Sequence, residues 1–383
     1  MKKINTIIFG ATGKIGESTL FIINKNRKSI NLEGITCNKN LNKLMKIAKS
    51  FNVQKIGFNK KNINTRRRYD FNKYEIYNDL SNFHHLISKK TDVIIFAISG
   101  LSSIDLLLKI LKKGKKIGMA NKEIIITLGK KFNILSKKYN TDIVPLDSEH
   151  NSIYHLLNQN LCKFKSITIT ATGGPFLKYT QRQFKNITVN QAIKHPVWSM
   201  GKKISIDSAT MMNKALEKIE AKYLFNLKDS EIEAIIHPQA IVHAIINYKN
   251  GISNAILNKP DMRIPISSVF FDFNNHIPVI DKIDFKKKLE LEFIPIDEKK
   301  FPAMRIGAEV MRMGGLAPHI FNYLNELLVN LFLSKQISFT DIVYLNEINL
   351  ERFFNKNSNN TNPKLIDIKN VNNWIDKNLY IGN

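Results

Sequence analysis

The chain has 383 residues, 43% of them hydrophobic, which is enough for two or three buried cores and excludes a disordered or membrane-embedded class. Its 58 Lys and Arg against 32 Asp and Glu give a formal charge of +26, a balance that raises polyanion binding as a question. Lys, Asn and Ile are abundant along the whole chain, as AT-rich codons dictate, and no nucleic-acid motif accompanies the charge, so no nucleic-acid partner is expected.

Thr6 to Phe9 reads as a strand, Gly10-Ala11-Thr12-Gly13-Lys14-Ile15-Gly16 as a glycine turn, and Glu17 to Asn24 as a helix with apolar spacing at Leu20, Ile22 and Ile23. That is the order in which a dinucleotide pyrophosphate sits on a helix N-terminus, although a purely structural turn has the same pattern. Gly13 lets the backbone approach the phosphates, and Gly16 lets helix and strand pack closely. The second strand, Leu32 to Thr36, ends at Cys37-Asn38-Lys39-Asn40 without the carboxylate that holds the ribose of NAD, which favours NADP. The opening apolar run is too short for a signal peptide, and no stretch is long enough to span a bilayer. Cys37 and Cys162 make no disulfide framework or metal spacing, so a reducing, cytoplasmic location is expected.

The segment from Asn59 to Asn82, with Arg66-Arg67-Arg68, has little periodicity and reads as a surface stretch. Strands follow at Asp92 to Ile98, Lys116 to Met119 and Thr141 to Leu146, with a helix around Ile104 to Lys112. The alternation predicts an α/β fold with an N-terminal doubly wound parallel sheet, Rossmann-like, whose ligands bind beyond the carboxyl ends of its strands. Asn121-Lys122-Glu123 and Asp147-Ser148-Glu149-His150 fall at such ends. The division expected is a cofactor domain over 1–147, a central α+β catalytic domain over 148–280, a charged linker over 281–300 and a C-terminal helical domain over 301–383. Apolar periodicity at Ala303 to Leu333 and Ile342 to Phe354 supports the last, with Asn355 to Asn362 as a loop.

Asp147 and Glu149 stand two apart at a strand end, so in extended backbone both face one cleft. Carboxylates without Cys suit a hard cation such as Mg²⁺ or Mn²⁺, while an acidic helix N-cap explains the same string structurally. Asn213, Lys214 and Glu217 lie at helical spacing, and a solvated ion pair is the bland alternative there. Ser205, Asp207, Ser208 and Thr210 make a polar approach to that helix, suited to phosphate, whereas Met211 and Met212 read as core filling. His195-Pro196-Val197-Trp198-Ser199-Met200-Gly201 reads as a loop tip whose Trp198 either packs in the core or covers a substrate; the lid is taken as residues 195–203. Thr172-Gly173-Gly174-Pro175 is a turn with a hydroxyl that suits phosphate.

With these motifs, together with His237-Pro238-Gln239 and Pro260-Asp261-Met262-Arg263, the chain resembles the 1-deoxy-D-xylulose 5-phosphate reductoisomerase family over nearly its full length. The resemblance implies rearrangement of that sugar phosphate by retro-aldol cleavage and re-addition, then hydride transfer from NADPH to give 2-C-methyl-D-erythritol 4-phosphate. It implies that Asp147, Glu149 and Glu217 ligate Mg²⁺ or Mn²⁺, and that Glu149, Lys122 and His195 act in catalysis. Ser148, Glu149, Thr172, His195, Ser208, Asn213, Lys214 and Glu217 would bind substrate. Thr12, Gly13, Lys14, Ile15, Asn38, Lys39, Asn40, Asn121, Lys122, Glu123 and Gly201 would bind NADPH, and the family is usually a homodimer. Thr172 stands where the family usually has Ser, Lys14 where it has Ser, and Asn38 and Ser103 where Gly is usual. Another NADP-dependent dehydrogenase, which would not need the three carboxylates, and a non-catalytic relative are the competing readings.

Overall fold

In the computed structural model, which describes residues 2–59, 71–159, 162–198, 200–271 and 280–382, the first seven strands form one sheet. They are β1 (Ile4–Phe9), β2 (Ile30–Cys37), β3 (Lys55–Phe58), β4 (Glu75–Tyr77), β5 (Val93–Phe96), β6 (Lys116–Met119) and β7 (Ile143–Pro145). Every pairing is parallel, in the spatial order β4-β3-β2-β1-β5-β6-β7. Its central strands are continuous apolar runs because both faces are covered: Ile7, Ile8, Phe9, Ile94, Ile95 and Phe96 have no exposed surface. The order reverses between β1 and β5, so the crevice at their carboxyl ends is the expected ligand position.

Four further strands, β8 (Phe164–Ala171), β9 (Ile232–Ile236), β10 (Val242–Tyr248) and β11 (Ser253–Leu257), form a mixed sheet in the order β11-β10-β8-β9. Beyond it come the helices Ala303–Met313, Ala317–Leu333, Phe339–Phe354 and Leu365–Asn378. Gly307 allows the first of these to press on the helix Met212–Phe225, since a Cβ there would stand 2.7 Å from that of Ala215. Phe176, Phe184 and Phe339 interlock edge to face, with centroids 5.4–6.3 Å apart, in the range favoured by aromatic quadrupoles.

The chain divides into two contact units. One holds Met1–Ile124, Asn133–Tyr154 and Asp261–Lys282; the other holds Ile125–Phe132, His155–Pro260 and Ile283–Asn383. Residues 261–271, which fall within the block expected over 148–280, belong to the first of these units. Arg263, held in a fork by Asp261, lies 4.8 Å over the Phe21 ring on the helix Lys14–Lys25.

The reading of 59–82 as a surface stretch holds for residues 71–82, none of which is buried, but it missed a strand. Residues 60–70, including Arg66 to Arg68, lie outside the described residues, but Glu75–Tyr77 is the edge strand of the parallel sheet. Three residues are too few for a period to register. The helices Leu41–Phe51 and Leu365–Asn378 were not anticipated, and among the described residues no helix is long and apolar enough to cross a membrane.

Candidate active site

The glycine turn is built by contacts that only glycine permits. Gly10 has φ +92°, and a Cβ on it would stand 2.5 Å from the Ala97 carbonyl oxygen beyond β5. Its N–H donates to Thr36 Oγ1 at 3.0 Å, and Ala11 N–H to the Thr36 carbonyl at 2.8 Å, which pins the turn to the end of β2. A Cβ on Gly16 would stand 2.6 Å from the Ala11 backbone, so the following helix sits directly against the turn. Gly13 is the N-cap of that helix and offers no side-chain cap, leaving the first-turn N–H groups beside Lys14 and Ile15 to an anion. Thr12 is half-buried and Lys14 exposed.

Beyond β2, Asn38, Lys39 and Asn40 are exposed. Asn40 also caps the helix Leu41–Phe51, its Oδ1 accepting from Lys43 N–H at 3.0 Å. Burial pushes the neighbouring Cys37 thiol up to about 12, so it is an inert packing group.

At the ends of β5 and β6, Asn121 is buried and its amide is committed. Nδ2 donates to the carbonyls of Ile98 and Gly100 at 2.7 and 2.9 Å, and Oδ1 accepts from Ile124 N–H at 2.8 Å. The side chain therefore braces the strand ends. Glu123 is half-buried nearby, and Lys122 Nζ reaches Asp147 Oδ2 at 3.2 Å.

Asp147 and Glu149 are not on extended backbone, which corrects the strand-end reading. β7 stops at Pro145 and the helix Ser148–Asn158 begins, so Asp147 is its cap: Asn151 N–H donates to the Asp147 carbonyl at 2.8 Å and Glu149 N–H to Asp147 Oδ1 at 3.3 Å. Capping and ligation are compatible, because each carboxylate keeps further lone pairs. Ser148 Oγ donates to Glu149 Oε2 at 2.5 Å, and His150 Nδ1 stands 3.3 Å from Asp147 Oδ1.

Glu217 belongs to the other unit, on the helix Met212–Phe225. Asn213 Nδ2 donates to its Oε1 and Lys214 Nζ to its Oε2. The Lys214 and Glu217 side chains are 4% and 1% exposed, so this is a buried ion pair and the solvated alternative fails. Met211, at the head of the helix, is buried with φ +62°, in the left-handed region where a β-carbon is strained. Gly174 abuts the residues just before this helix, since a Cβ on it would stand 2.8 Å from the Ser208 carbonyl. The Thr172 turn is thus seated on the helix Lys202–Ala209 that carries Ser208. Asp207 on that helix is buried, bonded by Lys203 Nζ at 2.7 Å and Asn325 Nδ2 at 2.8 Å. The anchoring role of Lys203 and Asn325 was not read from the sequence, although the four-residue spacing of Lys203 and Asp207 was its visible signal.

His195 Nδ1 accepts the N–H groups of Val197 and Trp198 at 3.1 and 2.8 Å, so the ring proton is on Nε2, which donates to Thr172 Oγ1 at 3.0 Å. Gly174 N–H donates to the same oxygen at 3.3 Å. With both lone pairs engaged, the Thr172 hydroxyl is left as a donor. Burial lowers the His195 pKa from 6.5 to about 4. The unfolded chain takes up this proton below pH 6.5 and the folded chain only near 4, so stability is present above 6.5 and declines across that window. In an NMR titration the His195 ring should keep its neutral-form shift to about pH 4; a midpoint near 6.5 would contradict the buried tautomer. Trp198 is half-buried, its ring 6.1 Å from that of His243, and Gly201 is exposed at the head of the Lys202–Ala209 helix.

Comparison with known proteins places these motifs. A family model described as 1-deoxy-D-xylulose 5-phosphate reductoisomerase matches residues 6–129, and models of its C-terminal domains match 143–225 and 257–378. A relative from Pelagibacter ubique with that enzyme's name is 39% identical over 383 residues, covering 98% of each chain. One from Thermoanaerobacter pseudethanolicus is 35% identical, covering 97% of this chain and 96% of its own. The Zymomonas mobilis reductoisomerase, solved with NADPH, superposes with TM-score 0.87 at 30% identity over 97% of both chains. A DOX-P reductoisomerase solved with NADPH, fosmidomycin and magnesium gives 0.87 at 30% identity, over 98% of this chain and 97% of that one.

Proposed function

From the premise that the chain belongs to the 1-deoxy-D-xylulose 5-phosphate reductoisomerase family, we propose roles for the residues described above. The enzyme is an NADP-dependent oxidoreductase that converts 1-deoxy-D-xylulose 5-phosphate to 2-C-methyl-D-erythritol 4-phosphate with NADPH and a divalent cation. The likeness over the whole length, at 39% identity, carries this reading.

The cofactor fits the uncapped N-terminus at Gly13, with Thr12, Lys14 and Ile15 around its pyrophosphate and Asn38, Lys39 and Asn40 around its 2′-phosphate. Asn121 acts on it by fixing the strand ends, with Lys122, Glu123 and Gly201 alongside. A hard cation fits Asp147, Glu149 and Glu217, an all-oxygen donor set. Lys122 on Asp147 and Lys214 on Glu217 already provide the positive charge that such carboxylates require. When bound, the cation supplies Lewis acidity to the ketone and hydroxyl oxygens, and NADPH supplies the hydride.

The chain's own groups do the rest. Thr172 O–H donates to the substrate phosphate, with Ser208, Ser148, Asn213 and Lys214 offering further donors, and His195 holds the Thr172 oxygen in place. Residues 195–203 act as a lid, Trp198 excluding water so that a fragmented substrate recombines by an effectively unimolecular step. Glu149 and Lys122 stand where a proton can be held, at Ser148 Oγ and Asp147 Oδ2 respectively. The domain limits 1–147, 148–280, 281–300 and 301–383, a homodimer joined through 148–280, and a cytoplasmic location complete the proposal. Incubation with the sugar phosphate and NADPH should give methylerythritol phosphate by NMR. NADPH oxidation with an amino-acid semialdehyde and not with the sugar phosphate would favour the competing dehydrogenase.

A further inference from the structure

Lys43 lies one turn into the helix Leu41–Phe51, just after the N-cap Asn40. Its side chain turns back toward the glycine turn: Nζ donates to the Thr12 carbonyl at 2.9 Å and pairs with Glu17 on the helix Lys14–Lys25. The ammonium, on a side chain 32% exposed, thus stands between the loops that leave β1 and β2. In a doubly wound sheet the adenosine ribose lies over that gap.

We propose that Lys43 is a specificity-determining residue that binds the 2′-phosphate of NADPH and sets the preference over NADH, a reading that rests on the cofactor assignment above. An ammonium has three donors. Thr12 and Glu17 take two and fix its position, which leaves the third for the phosphate. Glu17 makes the effect asymmetric. Without Lys43 its carboxylate would face the 2′-phosphate uncompensated, a repulsion that NADH, lacking that group, does not feel. Lys39, on the exposed loop, supplies charge without such fixed placement.

Nicotinamide fluorescence with each nucleotide tests this directly. Lys43→Met should raise the Kd for NADPH about 30-fold and move that for NADH by less than about twofold. Lys43→Arg should retain the preference, and Glu17→Gln added to Lys43→Met should recover part of the loss. If Lys43→Met does not fold, Glu17→Gln alone reads the same point by tightening NADPH about threefold with NADH unmoved. Equal shifts for both nucleotides, or none, would overturn the role of Lys43 while leaving the cofactor assignment standing. A folded wild type that binds neither would overturn that assignment and this inference together.

Discussion

Glu217→Gln lowers turnover by about 1000-fold or more while NADPH affinity stays within about twofold. The substitution keeps the shape and one of the two acceptor oxygens that Asn213 and Lys214 use, and removes one negative charge from a side chain that is 1% exposed. Two consequences reinforce each other. A cation coordinated by carboxylates loses a charged donor where water cannot replace it. Lys214, a buried ammonium, then faces a neutral amide in place of a carboxylate where substrate phosphate is proposed to bind. All the residues proposed to hold NADPH except Gly201 belong to the other unit, so its binding is spared. Steady-state kinetics with parallel NADPH titration checks the split; turnover within about tenfold of wild type would remove Glu217 from the site.

Gly10→Ala is expected to weaken NADPH binding by about 100-fold and to lower the unfolding temperature. At φ +92° an L residue is strained by about 1–3 kcal/mol. Its Cβ would also meet the carbonyl oxygen of Ala97 at 2.5 Å, a residue just beyond β5 that is tied to β1 by its N–H on the Phe9 carbonyl at 2.8 Å. Relief requires separating the carboxyl ends of β1 and β5, where the order of the sheet reverses. Gly100→Ala is the control, because Gly100 also has positive φ but a Cβ there meets nothing within 4 Å. It should cost only the conformational part, about 1–3 kcal/mol. If the two variants lose equal stability and equal affinity, the close approach at Gly10 is not what shapes the turn.

Much of the first unit was legible because its signals are local. A β-branched run, glycines at fixed offsets and a helical period recur in β1 and the helix after it, and the observed bounds lie within a few residues of those expected. The edge strand Glu75–Tyr77 was not legible, since its pairing with β3 supplies the order that three residues cannot signal. The chemistry divides likewise. That Asp147, Glu149, Asn213, Lys214 and Glu217 are the polar residues of interest follows from their types and spacing. That Asp147 caps a helix, that Asn121 spends its amide on two carbonyls, and that the Lys214–Glu217 pair is buried depend on neighbours distant in sequence. Lys43 shows the limit most clearly: on its own helix it is a surface lysine, and its meaning comes from Thr12, 31 positions away.

A reductoisomerase of this family works only with its cation. The most direct test follows reduced-nicotinamide absorbance in purified protein supplied with NADPH and 1-deoxy-D-xylulose 5-phosphate, with Mg²⁺, with chelator, and with Mn²⁺ restored in excess. Oxidation should stop with chelator and return with either metal. Oxidation indifferent to chelator, or none in folded protein that binds NADPH, would contradict it.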